Sequence, residues 1–246
     1  MRSYTPPTSP TGPPFWSMSP AFLSAKGRRS QVIFTWGSRS RAIGPIQAAE
    51  AQLPMAKIPD KQGIFFELDG VLVDRPELDE TGEVPFLPGS LEALNRIDPK
   101  HFHLFVATSR HDIAFGQRKE RDFTRFCGRF LERMQMEGIP IAKIYSCPYH
   151  PKGKGRFKRE SVFRKPGPGI FKMAQQEFDL NLQRCWMIGH TSSDILAAQR
   201  AEVGTIMVRT GMGGHDGTYI VDPHFVEDDM WHAIARINQF EHALRV

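Results

Sequence analysis

Cysteine is scarce in this chain. Cys127, Cys147 and Cys185 are its only three in 246 residues, too few and too scattered for a disulfide framework, and no two have the close spacing of a zinc knuckle. A reducing compartment suits them, and a cytoplasmic protein is expected. Long apolar runs are also missing. None approaches the roughly 20 residues that span a bilayer, and the longest are strand-sized, so no membrane association is expected. Acid is absent from one stretch: the first acidic residue is Glu50, while Arg2, Lys26, Arg28, Arg29, Arg39 and Arg41 precede it. Subtracting those six from the 32 lysines and arginines leaves 26 cations against 27 acids for the rest, although the whole chain is formally +5. The basic character therefore lies outside the part that looks folded, and a nucleic-acid partner is not expected.

Residues 1–54 are rich in Ser, Thr, Pro and Gly, and Pro6, Pro7, Pro10, Pro13, Pro14 and Pro20 break any regular element there. They read as a largely disordered extension. The prolines spoil an amphipathic transit helix, and no apolar core follows a basic start as in a signal peptide. Met55 stands just before the folded-looking part, so a start placed at Met55 is an alternative, and residues 55–246 are expected to form a single domain.

From residue 63 onward, short apolar runs alternate with helical patterns, the signature of a parallel sheet covered by helices. Strands are expected at Ile64 to Leu68, His103 to Thr108, Ile141 to Ser146, Cys185 to Gly189 and Thr205 to Val208. Pro88-Gly89-Ser90 opens a helix carrying Leu91, Leu94 and Ile97. A long helix over 115–137 places Phe123, Phe126, Phe130, Leu131 and Met134 on one face, with Gly138 ending it. Further helices are expected at 168–178 and 192–201, and an amphipathic closing helix carries Met230, Ile234, Ile237 and Leu244.

In open α/β sheets the ligand sits beyond the carboxyl ends of the strands. The residues there are polar: Glu67-Leu68-Asp69-Gly70, Thr108-Ser109-Arg110, Cys147-Pro148-Tyr149-His150 and Gly189-His190-Thr191-Ser192-Ser193-Asp194, with Arg164-Lys165-Pro166 in addition. Acids that can serve as nucleophile or metal ligand, hydroxyl donors for phosphate oxygens and a lysine to offset their charge are the set that phosphate chemistry needs.

In order and spacing, these strings resemble the motifs of the haloacid dehalogenase-like (HAD) phosphatases, in detail those of the heptose bisphosphate phosphatases and their histidinol phosphatase relatives, over roughly residues 63–212. The resemblance implies a Rossmann-like three-layer α/β sandwich with a central parallel sheet, and the 192 residues from Met55 to Val246 leave little room for a separate cap domain. It also implies hydrolysis of a phosphomonoester of a small phosphorylated sugar, with Mg²⁺ as cofactor. By resemblance Asp69 is the general acid/base, Thr108, Ser109, Arg164 and Lys165 attend the phosphoryl group, and Glu67, Asp69, His190 and Asp194 stand at or near the metal positions.

Several positions depart from the family pattern. Glu67 replaces the nucleophilic Asp, and its extra methylene adds about 1.5 Å, where a misplacement of about 1 Å costs roughly 10²-fold in rate. His190 replaces a metal-binding Asp. Imidazole is a poor Mg²⁺ ligand, and Mn²⁺ would tolerate it better, but a hydrogen-bonded histidine in a changed motif is the preferred reading. The family's zinc loop keeps Cys147 but carries Tyr149, Ser161 and Phe163 at ligand positions, so no structural zinc is expected. Impaired or altered catalysis is the expectation, with a catalytically inactive phosphosugar-binding, scaffold or regulatory protein as the alternative. The loop rich in Lys152, Lys154, Arg156, Lys158 and Arg159 reads either as a solvated segment or as a contact for an acidic ligand. The oligomeric state is left open, with a monomer slightly favoured.

Overall fold

The computed structural model describes residues 16–18 and 61–243. The expected disorder of 1–54 and the alternative start at Met55 lie outside the described residues, except for Trp16–Met18. Those three residues form a short strand, β1, that pairs antiparallel with an edge of the sheet.

The apolar runs become the strands β2 (Gln62–Phe66), β3 (Phe102–Ser109), β4 (Ile141–Cys147), β5 (Trp186–Gly189) and β6 (Gly204–Val208), joined by a three-residue β7 (Phe225–Glu227). Their spatial order is β1-β4-β3-β2-β5-β6-β7. Strands β2 to β7 all run parallel. The chain moves outward from β2 through β3 and β4, then returns to the other side of β2 for β5, β6 and β7. The strand order therefore reverses at β2, and the crevice for a ligand opens at the carboxyl ends of β2, β3 and β5.

The helices are α1 (Ser90–Leu94), α2 (His111–Ala114), α3 (Glu120–Met136), α4 (Gly169–Phe178), α5 (Ser192–Gln199) and α6 (Met230–Ala243). Because side chains alternate across a strand, each central strand divides its residues between two apolar layers. Ile64, Phe66, Leu104, Val106, Ile188 and Ile206 pack with Leu94 of α1, Phe126 and Phe130 of α3 and Ile234 of α6. Phe65, Phe105, Ala107 and Met187 face Ile170 and Phe171 of α4 and Ala197 and Ala198 of α5. This is the expected three-layer sandwich. No helix among the described residues is long and apolar enough to cross a membrane.

Two helical expectations need correction. The stretch before Glu120 is not part of the long helix, because the Ala114 carbonyl accepts the Lys154 amide at 2.8 Å, and α2 stops there as a separate short helix. The first helix ends at Leu94, sooner than expected, with Gly89 rather than a side chain at its amino end; Ile97 is still buried, in the turn that follows.

Candidate active site

Glu67 follows directly on β2, and its backbone N–H donates to the Ile188 carbonyl of β5 at 3.0 Å. The sheet's own ladder thus delivers a carboxylate to the reversal point. Its Oε1 accepts the Leu68 amide at 2.8 Å, and its Oε2 accepts from the Lys165 ammonium. Lys165 reaches this spot from the loop before α4. Its amide donates to Ser109 Oγ at 3.1 Å, and its Nζ donates to the Ala107 carbonyl at 2.8 Å and pairs with Asp194 Oδ1 at 2.5 Å.

Asp194 in turn belongs to the capping box that opens α5. Its Oδ2 accepts the amides of His190 at 3.1 Å and Thr191 at 3.0 Å. The three charged groups are almost completely buried, so one cation stands between two carboxylates in a poorly solvated place. The extra amide donors decide how the charge settles. Burial works to raise Asp194, but Lys165, His190 and the amide bonds hold its carboxyl down at about 2. Glu67 has only part of the lysine and faces Asp194 and Asp69, so burial pushes it up to about 7. Burial also opposes the charge on Lys165, but the two carboxylates outweigh it and keep the ammonium protonated.

Asp69, two residues on, is less buried. Both of its oxygens accept from Arg110 Nη1 at 2.8 Å. Arg110 is buried, bonds Asp112 through Nε at 3.1 Å and Nη2 at 2.6 Å, and lies over the Phe123 ring at 4.9 Å. Arg118 extends the chain of charges, joining Asp112 at 2.6 Å to Glu77 at 2.7 Å. Thr108, at the end of β3, is fully buried, and its hydroxyl has no partner among the described residues. Arg164 lies 3.8 Å from Glu160 and is not joined to the carboxylates by any contact described.

His190 is packed between two glycines. Its Nδ1 accepts the Met212 amide at 2.8 Å, and its carbonyl accepts the Gly214 amide at 2.8 Å. A Cβ added at Gly211 would lie 2.3 Å from Nδ1, and one at Gly70 would lie 2.9 Å from it, with both glycines at positive φ. Thr210 Oγ1 closes the same contact from the other side by donating to the Gly70 carbonyl at 2.6 Å.

Glu67, Lys165, Ser109 and Asp194 are therefore brought together, Asp69 is held beside them by Arg110, and Arg164 stands apart. Among the described residues no three or more His, Cys, Asp or Glu side chains are placed to hold a metal ion. The donor chemistry gives the reason. The family's third ligand position holds an imidazole, and its Nδ1 lone pair is already used to accept the Met212 amide. These residues do not fit the family's Mg²⁺ site. At the former zinc loop, Arg159 lies over the Tyr149 ring at 3.6 Å, and Cys147 is buried. The sequence reading missed the roles of Arg110 and of the 209–214 loop. Arg110 was visible in the string after β3, but its partner Asp69 is 41 residues away, and a backbone donor such as Met212 N–H carries no side-chain signal.

A parallel sheet reversing at β2, with an acid after the first central strand, hydroxyls after the second and a lysine bridging to the motif after the fourth, defines a HAD-like hydrolase. The family model described as HAD-hydrolase-like matches residues 162–233. The D-glycero-beta-D-manno-heptose-1,7-bisphosphate 7-phosphatase of Pasteurella multocida is 31% identical over 153 residues, covering 61% of this chain and 83% of that protein. The D-glycero-alpha-D-manno-heptose-1,7-bisphosphate 7-phosphatase of Burkholderia mallei is 36% identical over 149 residues, covering 60% and 79%. The chain belongs to this family of heptose bisphosphate phosphatases. The fold agrees with two solved structures. A HAD-like phosphatase from Mesorhizobium loti superposes with a TM-score of 0.61 at 26% identity, covering 74% of this chain and 88% of that one. D,D-heptose 1,7-bisphosphate phosphatase from B. bronchiseptica, complexed with magnesium and phosphate, gives 0.63 at 22% identity, covering 73% and 99%.

Proposed function

We propose that this chain binds the phosphoryl group of a small phosphorylated sugar beside Thr108, Ser109 and Lys165 and hydrolyses the ester through Glu67, more slowly than a site with aspartate there. The observation that carries the reading is the Lys165 ammonium held against Glu67 at the reversal point of the sheet, with the buried Thr108 hydroxyl unpartnered among the described residues. In the first step a Glu67 carboxylate oxygen attacks phosphorus while the bond to the sugar oxygen breaks, and that oxygen takes a proton from Asp69. In the second, water attacks the acyl phosphate and gives a proton to Asp69, and Glu67 and inorganic phosphate separate. Lys165 offsets the charge on the phosphoryl oxygens throughout, and Arg164 serves as a further cation for the substrate. Residues 55–246 form the catalytic domain, to whose sheet the preceding segment adds the three-residue β1. The reading also places the protein in the cytoplasm, where Cys127, Cys147 and Cys185 stay unpaired, and takes it as a monomer.

One observation favours a second reading, a protein that binds phosphosugars without turning them over: both oxygens of Asp69 are engaged by Arg110, so the acid/base is free only when that bond opens. Phosphate release by the full chain from heptose 1,7-bisphosphate, histidinol phosphate and other phosphosugars separates the two, run with Mg²⁺, with Mn²⁺ and with chelator. Release that disappears in Glu67→Ala and rises by roughly 10²-fold in Glu67→Asp is the expected result. A folded protein that binds a phosphosugar and releases no phosphate supports the binding reading instead.

A further inference from the structure

We infer that this site excludes the divalent cation of its family and that His190 is the residue that excludes it. The inference rests on the proposed function only for the statement that Lys165 serves a phosphoryl group. The exclusion itself follows from the donor set.

A histidine that binds a metal presents one ring nitrogen's lone pair to the ion and donates the proton on its other nitrogen to a carboxylate, carbonyl or water. His190 is wired with the opposite polarity. The Met212 amide donates to Nδ1 at 2.8 Å, so Nδ1 supplies the lone pair and the neutral ring carries its proton on Nε2. Turning Nε2 into a ligand would put a proton on Nδ1 facing the Met212 N–H, and turning Nδ1 into a ligand would cost that hydrogen bond. The ring cannot swing aside to make room, because Gly70 and Gly211 both approach it too closely for even a Cβ in their place. The Gly214 amide bonded to the His190 carbonyl at 2.8 Å fixes the loop that carries Met212.

The other carboxylates are committed as well. Asp194 takes two amides on one oxygen and Lys165 on the other, Glu67 takes the Leu68 amide and Lys165, and Asp69 is held by Arg110. Mg²⁺ dehydrates reluctantly and needs near-octahedral oxygen ligands. With Nδ1 accepting the Met212 amide and Nε2 carrying the ring's proton, His190 offers an entering ion no lone pair in its third protein position. A lysine shared by two carboxylates therefore carries the positive charge of the site, and phosphoryl binding is independent of metal.

The test counts bound Mn²⁺ on the full-length chain from the loss of the free-ion signal in electron paramagnetic resonance, with Glu67→Gln as the reference and with inorganic phosphate as the anion probe. The expected result is no difference in bound Mn²⁺ between the wild-type chain and Glu67→Gln, phosphate affinity unchanged by chelator, and one additional bound Mn²⁺ in His190→Asp, which restores an oxygen ligand. One Mn²⁺ bound by wild type and lost in Glu67→Gln overturns the exclusion. A His190→Asp protein that keeps its thermal unfolding transition and still takes up no Mn²⁺ overturns the assignment to His190. These outcomes are separate from the fate of the proposed hydrolysis: phosphate release that stops with chelator sinks the exclusion and keeps the phosphatase, whereas no release together with no bound Mn²⁺ does the reverse.

Discussion

At the scale of single residues, the site is a set of charges that depend on one another. Arg110 shows this most clearly. Its side chain is 4% exposed, it pairs with Asp69 and Asp112 at once, and burial of its guanidinium is outweighed by the two carboxylates, which keep it charged. Removing one partner of a buried ion pair leaves the others uncompensated, which is far more damaging than losing the pair as a whole. Arg110→Ala is therefore expected to lower stability by about 3 kcal/mol in urea unfolding, near the low end for such a loss because Asp69 is partly exposed and can rehydrate. Arg110→Lys keeps a charge but loses the planar fork that reaches both acids, and is expected to recover only part of it. An Arg110→Ala protein as stable as wild type would mean that the Asp69 and Asp112 contacts are incidental. Glu67, Asp69, Thr108, Ser109 and Asp194 were readable in the sequence because each lies in a string at or beside a strand end, and Lys165 through its Arg164-Lys165-Pro166 string. Arg110 was readable only as a letter, since a bond across 41 residues has no local signature.

At the scale of elements, α5 shows how a local rule supports the site. Thr191 caps the helix, its hydroxyl accepting the Asp194 amide at 3.3 Å while the Asp194 carboxylate bonds back to the Thr191 amide. The same carboxylate receives Lys165, so the cap and the site share one residue. Loss of an N-cap hydroxyl costs about 1 kcal/mol. Thr191→Ala is expected to show that loss in thermal unfolding together with weaker phosphate binding, because the Asp194 carboxylate loses part of its fixed position. A pure stability loss with phosphate affinity intact would show the cap to be structural only. The sequence was informative about elements wherever periodicity was long. The five apolar strands and α3, α4, α5 and α6 were expected from it. The three-residue β7 was not, because Phe225-Val226-Glu227 is too short to show alternation and its pairing with β6 is set by the return of the 209–224 loop. The separate α2 was hidden for a similar reason: the amide that ends it comes from Lys154, far along the chain.

At the scale of the whole molecule, the question is which part of the chain builds the core. The two apolar layers, as described, run from Ile64 to Ile237, and each central strand contributes alternately to both. A parallel sheet buried on both faces gains its stability from those layers, and the antiparallel β1 adds only three residues of edge pairing to β4. Residues 1–54 also carry every one of the six cations that precede the first acid. Their removal should therefore change the net charge of the molecule much more than its stability. A chain of residues 55–246 is expected to unfold in a single cooperative transition, within a few degrees of the full chain, since a 1 kcal/mol change moves the midpoint of a domain this size by roughly 2–4 °C. It should also elute earlier from a cation-exchange column. Without β1 the β4 edge is left unpaired, and there the shortened chain could fail, because an unpaired edge strand is a template for association. Aggregation of the shortened chain with an unchanged melting transition would locate the role of β1 in protecting that edge. Loss of the cooperative transition itself would mean that the extension reaches into the core, and the domain would then begin well before residue 55.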